Sequence, residues 1–485
     1  MPSEKDTDKL HSPASSHGNA NKQPNTMGAI RMFFSSPGAK FVLLGAIIFA
    51  LLIPTFMVWA LVEERSHRAE GVAQGIAQGW GGTQLINGPY LIMPYTRIEK
   101  TPVTNNNGKT EMQERLVMRH AVFSPDKLKM GGNIDVEERK MSIYKTQLYH
   151  FKNNLKGSFA DFDMNKIREA GGTPKPQKAF LVIGISDTTG FRSDILLKVD
   201  GKTEGQFLPG LNNLGNTSYV NAQYSQSRSG NGIHIPINSD KLATGFDFEI
   251  SMALNGSRNI GFVPAGKTTQ LDIQSNWPHP GFSGKFLPEK RDITAEGFSA
   301  TWTIPNLARG ISEVQLSSQL PQAGTSIGIN FVEPLSFYQI TSRSLKYAVG
   351  FFSLVFLAVF ILELYGKSKL HWIQYILTGL AMIIFYVLLL ALAEQVGFLI
   401  AYGIAALATT ILIAWYVGDA LGNKNGSMIV GGVLATTYLV MYMILNEETY
   451  ALLAGSLIAF IAIAATMFAT RNIDWAGQPT LAEAK

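Results

Sequence analysis

The chain has 485 residues, of which 46% are hydrophobic and 16% charged, too apolar for an average soluble protein and too charged for one wholly immersed in lipid. Its net charge of +5 is spread through interspersed acids and bases, without the basic run and interleaved aromatics that nucleic-acid binding needs. The absence of cysteine excludes disulfides, thiolate metal sites and a cysteine nucleophile, so any large polar domain must stand on its core alone.

Residues 1–40, rich in Ser, Asn, Lys and His, are expected to form a disordered cytoplasmic leader. Residues 41–62 (FVLLGAIIFALLIPTFMVWALV) carry no charge over 22 positions, which at about 1.5 Å per residue spans ~33 Å and crosses a bilayer core. A cleaved signal peptide, with Val58 and Ala60 as the small residues, is the competing reading. The long apolar run and 40-residue leader favour an uncleaved signal anchor. Pro54 inside the span is tolerable, since neighbouring helices can satisfy the freed carbonyl.

Residues 63–345 read as a β-rich, sandwich-like domain, with two packed subdomains as the alternative because about 280 residues exceed a typical single core. Just beyond the first helix, Trp80, Gln84, Gly88 and Pro89 lie in a glycine- and proline-rich stretch expected to form turns near the membrane surface and to couple helix to domain. An apolar strand follows at 179–185, and ILLKVDGK at 195–202 ends in an Asp-Gly pair suited to a tight hairpin. Residues 246–254 alternate apolar and polar side chains, as do Phe298, Ala300, Trp302 and Ile304 with their neighbours. Between these strands, residues 276–288 gather Trp277, Pro278, His279, Pro280 and Phe282 in a stiff, bent segment. It is either a recognition loop presenting aromatics or a crossing of a sheet end with its aromatics buried, and the second carries more weight.

Ser124-Pro-Asp-Lys127 and Ser142-Ile-Tyr-Lys145 match the S-x-x-K spacing of penicillin-recognising acyl-transfer enzymes. Such a site needs its serine at a helix start with S-D-N and K-T-G elements, and Lys267-Thr268-Thr269 is only a partial echo. The eight histidines show no metal-ligand spacing, and phosphate-loop, nucleophile-elbow and dinucleotide motifs are missing. The expectation is therefore a non-catalytic protein with no cofactor or metal.

Five further spans are predicted at 347–365, 373–393, 397–418, 427–445 and 450–470, followed by a cytoplasmic tail at 472–485. Lys and Arg fall at every second membrane face (the leader, Lys367 and Lys369, Lys424, Arg471 with Lys485), which places both termini in the cytoplasm and the large domain outside. Glu363, Glu394 and Asp419 lie at span ends, so the bundle reads as an anchor more than an ion path, with Glu394 the candidate if it is a transporter. Small residues Gly431, Ala435, Ala451, Gly455 and Ala459 allow close helix contact.

WGGTQLINGPYLIMPY, SNWPHPGFSGKFLP, GFSATWTI, LHWIQYILTGLAMIIFYVLLLALAEQVGFLIAYGIAALA and YALLAGSLIAFIAIAATMFATRNIDW, with the order helix, large domain, helical block, resemble the CreD family of bacterial inner-membrane proteins. The resemblance covers about residues 65–475. It implies an envelope-integrity protein tied to a two-component stress response, with colicin tolerance and an altered β-lactam response, contacting the lipid bilayer and an envelope protein partner. No catalytic residues carry over. Where the family commonly has Ser-Glu-His this chain has Ala393-Glu394-Gln395, and the family's Arg-Gly-Ile-Tyr stands as Met141-Ser142-Ile143-Tyr144.

Overall fold

The computed structural model describes residues 37–104, 110–141, 144–160, 162–212, 214, 231–310, 312–317, 320, 326–331, 336–365, 369–422, 424–446 and 451–471. The chain divides into two compact units, one of Met1–Val62 with Gln339–Lys485, the other Glu63–Tyr338.

Helix α1 (Pro37–Trp80) runs unbroken for 44 residues, about 66 Å at 1.5 Å per residue and well beyond a bilayer core. The span expected at 41–62 therefore continues as helix for a further stretch. After Val62 the sequence turns polar but stays rich in Glu, Arg, Ala and Gln, all good helix formers. Glu63 with His67 (3.3 Å) and Glu64 with Arg68 (2.8 Å) add i,i+4 pairs.

The helical unit continues with α2 (Phe337–Lys346), α3 (Ala348–Tyr365), α4 (Trp372–Val396), α5 (Phe398–Leu421), α6 (Lys424–Asn446) and α7 (Ala451–Thr470). By length and apolarity α1, α4, α5 and α6 each suffice to cross a membrane, and α2 with α3 makes a fifth if that pair, bent by 51°, is one span. In α7 the apolar stretch within the described residues is shorter, Gly455–Phe468. Among the described residues, four or five candidate spans thus stand where six were expected.

Local chemistry sets the short joints. His371 caps α4 with a reciprocal box, its ring accepting from Ile373 N at 3.4 Å while Gln374 Oε1 accepts from His371 N at 2.8 Å. Gly422 ends α5 in the left-handed conformation. Gly431 brings α6 close to Ala414 of α5, whereas Gly455 has open space around it.

The β domain contains strands β1 (Gln84–Thr104), β2 (Thr110–Phe123), β3 (Lys127–Met141), β4 (Tyr144–Phe159), β5 (Thr173–Pro174), β6 (Phe180–Ile185), β7 (Leu196–Val199), β8 (Lys202–Gln206) and β9 (Leu208–Pro209). They are followed by β10 (Gly232–Pro236), β11 (Phe246–Ser257), β12 (Asn259–Val263), β13 (Thr268–Ser275), β14 (Pro280–Gly284), β15 (Lys290–Thr294), β16 (Gly297–Ile304), β17 (Val314–Gln315) and β18 (Ile327–Phe331). One sheet has the order β14-β18-β12-β1-β6-β10-β9, with β2 and β5 on β1 and β17 on β2; the other runs β15-β16-β13-β3-β4-β11-β7-β8. Most pairs are antiparallel, but β1 with β12 and β3 with β13 are parallel.

A single hydrophobic core draws on both sheets, including Leu91, Ile183, Phe262 and Ile329 from one and Ile134, Tyr149, Leu155, Ile250 and Trp302 from the other. Among the described residues the domain therefore has one core, not two. Along β11 the expected alternation appears as buried Phe246, Phe248, Ile250, Met252 and Leu254. The β7–β8 hairpin turns at Asp200 (φ 49) and Gly201 (φ 81).

The stretch read as turns after Trp80 is mostly strand. Only Gly81 and Gly82 turn; Gly88 and Pro89 lie inside β1 at a bulge, where the register against β6 shifts between Asn87 and Tyr90. The reason is burial on both faces of a central strand: Leu85, Ile86, Tyr90, Leu91, Ile92 and Met93 are all fully enclosed, so the sequence is a continuous apolar run rather than an alternation.

Candidate functional site at the end of the first helix

Helix α1 stops where Gly81 and Gly82 fold back, both backbone N–H groups donating to Ala77 O at 3.0 and 2.9 Å. Gly81 has φ +125, and a Cβ there would lie 2.6 Å from Gly190 Cα and 2.8 Å from Asn255 O, so backbone meets backbone without room for a side chain. Gln84, wholly buried at the start of β1, fills the polar centre of this junction. Its Nε2 lies 2.6 Å from Gly81 O, 2.9 Å from Asp187 O and 3.1 Å from Asn255 O. Ser186 Oγ donates to Thr83 O at 2.7 Å and accepts from Leu85 N at 2.9 Å, while Ser257 N donates to Gly82 O at 2.7 Å. One amide side chain thus fastens the helix end to the loop after β6 and the end of β11.

Trp80, the last residue of α1, has two guanidinium groups over its ring, with Arg139 Cζ 4.3 Å and Arg192 Cζ 4.8 Å from the ring centre. His150 meets the same indole edge-on at 5.2 Å between centroids. In the amide orientation that satisfies both neighbours, Asn255 donates to His150 Nδ1 at 2.7 Å and accepts from Arg192 Nε and Nη2 at 2.5 and 2.8 Å. That leaves Nε2 as the ring's donor. Arg192 and His150 also line a groove of about 350 Å³ on the face of β3, β4 and β11, with Asn133, Asp135, Lys152 and Asn255.

The second aromatic stretch reaches this groove from the far side. Asn276 Nδ2 donates to Asp135 Oδ1 at 2.8 Å, and its Oδ1 accepts from Val136 N at 2.8 Å. Beyond it, residues 280–284 form edge strand β14. Phe282 packs edge-on against Phe298 (5.6 Å) and Trp302 (5.7 Å). Trp302 is 1% exposed and donates through Nε1 to Phe286 O at 3.3 Å, so it serves the core and offers no contact surface. Trp277, Pro278 and Pro280 are half-buried, and His279 is exposed. Glu394 lies in the last turn of α4, half-buried, in the helical unit.

The first S-x-x-K match does not sit on a helix start. Ser124 lies between strands β2 and β3, where its hydroxyl accepts from Arg309 Nη1 at 2.9 Å. Ser142 is outside the described residues, and Lys145 is paired with Glu138 at 3.3 Å. Arg139, Arg192, Asn255 and the groove role of His150 were not legible as a site, because three separate strands and a loop contribute them.

Within the helical unit a different polar centre forms. Lys40 Nζ is paired with Glu363, whose side chain is 6% exposed, and also donates to Leu370 O at 2.7 Å. Tyr375 OH donates to the second carboxylate oxygen of Glu363 at 2.9 Å.

The family model described as inner membrane protein CreD matches residues 36–476. The chain belongs to the CreD family. The inner membrane protein CreD of Escherichia coli (strain K12) is 32% identical over 437 residues, covering 89% of this chain and 92% of that protein. A putative nutrient binding protein of Legionella pneumophila is similar over 59% of this chain and 88% of its own, at 10% identity and a TM-score of 0.23. Membership in the CreD family makes this an inner-membrane protein in contact with the lipid bilayer.

Proposed function

We propose that this CreD-family protein is a non-enzymatic inner-membrane protein that maintains cell-envelope integrity under envelope or cell-wall stress, through contacts of its β domain on the periplasmic side. Both termini lie in the cytoplasm and six spans anchor the chain. The observation that carries this reading is the junction of Trp80 and Gln84, where the last turn of a membrane-length helix is fastened by buried hydrogen bonds to a domain with a solvent-facing polar groove. Such a build suits holding a binding surface at a membrane.

The absence of cysteine makes the test clean. A single cysteine introduced at His279 or Lys152 should react with a membrane-impermeant maleimide in intact spheroplasts, and cells lacking the protein should lose colicin or β-lactam tolerance. Labelling only after lysis, or an unchanged envelope response, would sink the proposal.

A lipid-handling or transport role is the second reading, favoured by an apolar cleft of about 380 Å³ lined by Gly350, Leu354, Met441, Gly455 and Ile463 of α3, α6 and α7. Glu394→Gln abolishing envelope tolerance at normal expression would support it, and indifference would count against it.

A further inference from the structure

The groove beside Trp80 gathers cations in a way that the junction does not require. Lys152 and Arg192 both line it and both are exposed, as is Arg139 over the Trp80 ring. Lys152 stands on β4 opposite Asn133 of β3 and Ala253 of β11, so its ammonium is framed by small or neutral neighbours across the sheet. By contrast, other outer-face lysines of this sheet meet acids: Lys156 lies 3.0 Å and Lys198 3.9 Å from Glu249, and Lys129 lies 3.8 Å from Asp272. The one carboxylate in the lining, Asp135, accepts a hydrogen bond from Asn276. Asn255 and the Trp80 ring hold the Arg192 guanidinium in a fixed plane, which reduces the entropy lost when it forms a forked contact. His150 is fixed by the same Asn255 and keeps its Nε2 as donor.

A held guanidinium, an ammonium and an imidazole donor around one concavity are the donors that an oxyanion takes. We propose that this groove binds an anionic oxygen group, phosphate or carboxylate, of an envelope component, with Arg192 and Lys152 as its charged contacts and His150 and Asn133 as neutral ones. The inference deepens the function proposed above by naming the chemistry of the contact. It is tested in vitro, apart from the envelope phenotype, so the two can fail separately.

Full-length protein in phosphatidylcholine nanodiscs is titrated calorimetrically with inorganic phosphate and with a soluble muropeptide bearing free carboxylates. Flotation with phosphatidylglycerol against phosphatidylcholine vesicles tests the lipid source. Binding of at least one anionic probe is expected, weakening as salt rises, with a loss of tenfold or more in the double variant Lys152→Gln/Arg192→Gln. Arg192→Lys should recover part of that loss, because it restores charge without the fork. Lys152→Gln alone, which leaves the contacts of Arg192 with Trp80 and Asn255 intact, should unfold at the wild-type temperature yet bind more weakly, which separates loss of contact from loss of fold. No binding of any of the three anionic probes, or equal binding by wild type and double variant, would overturn the proposal. Selective binding of the muropeptide or of the anionic vesicles identifies which envelope component supplies the group.

Discussion

Gln84 in the β domain and Glu363 in the helical unit are both almost wholly shielded from solvent, yet their polar atoms are satisfied in different ways. The Gln84 amide is neutral and meets carbonyls of Gly81, Asp187 and Asn255, which the surrounding backbone fixes in place. The Glu363 carboxylate depends on a single flexible lysine side chain from another helix, with Tyr375 as its hydrogen-bond support. A buried charge deprived of its partner suffers much more than a buried carbonyl deprived of one donor, so the helical centre is the more sensitive of the two.

The comparison sharpens first at Lys40. Lys40→Leu should destabilise the detergent-purified protein by about 3–5 kcal/mol, and Lys40→Leu with Glu363→Leu should recover much of it, because the stranded charge is removed. Equal melting of Lys40→Leu and wild type would show that the pair contributes nothing. Gln84→Leu, which keeps the volume but removes the donor, should cost about 1–3 kcal/mol in the same assay. An effect larger than that of Lys40→Leu would make the Gln84 junction the more sensitive of the two.

Smaller effects belong to titrating groups of the β domain. Burial pushes the His120 imidazole below its ordinary value, so the folded state favours the neutral ring. A depressed folded pKa in a base means that the unfolded chain binds more protons, so this contribution is complete above about pH 6.5 and fades as pH falls below it. His120→Gln should flatten that part of the stability profile. The Arg119 and Arg97 guanidiniums beside Glu99 hold its carboxyl at about 2, against an ordinary 4.5. Its contribution is present above pH 4.5 and is lost as pH falls toward 2, and the exposed setting keeps it small. Glu99→Gln should remove only this acid limb, as read by chemical unfolding between pH 2 and 5.

How far the site was legible follows from the same residues. Trp80 and Gln84 stood out in the sequence, but the glycines and prolines around them suggested turns, whereas only Gly81 and Gly82 turn. Pro89 and Pro94 fit inside β1, with the bulge absorbing the first of them. Trp302, read in the sequence as one of an alternating apolar set, is core as that alternation implies, and what spacing could not show is that Phe282 packs against it.

The sequence by itself determined the elements whose signal is local. The apolar helices, the alternation along Phe246–Leu254 and the Asp200-Gly201 hairpin each follow from spacing or from one residue's backbone preference. Good helix formers, a local signal too, carry α1 from Val62 to Trp80, but tertiary structure alone decided that its end meets Gln84 and the carbonyls of Asp187 and Asn255. It also decided the pairing of Lys40 with Glu363 and the assembly of Arg139, His150, Arg192 and Asn255 around one indole. These groups are distant in sequence, and their meeting depends on strand order and register, which no local pattern encodes.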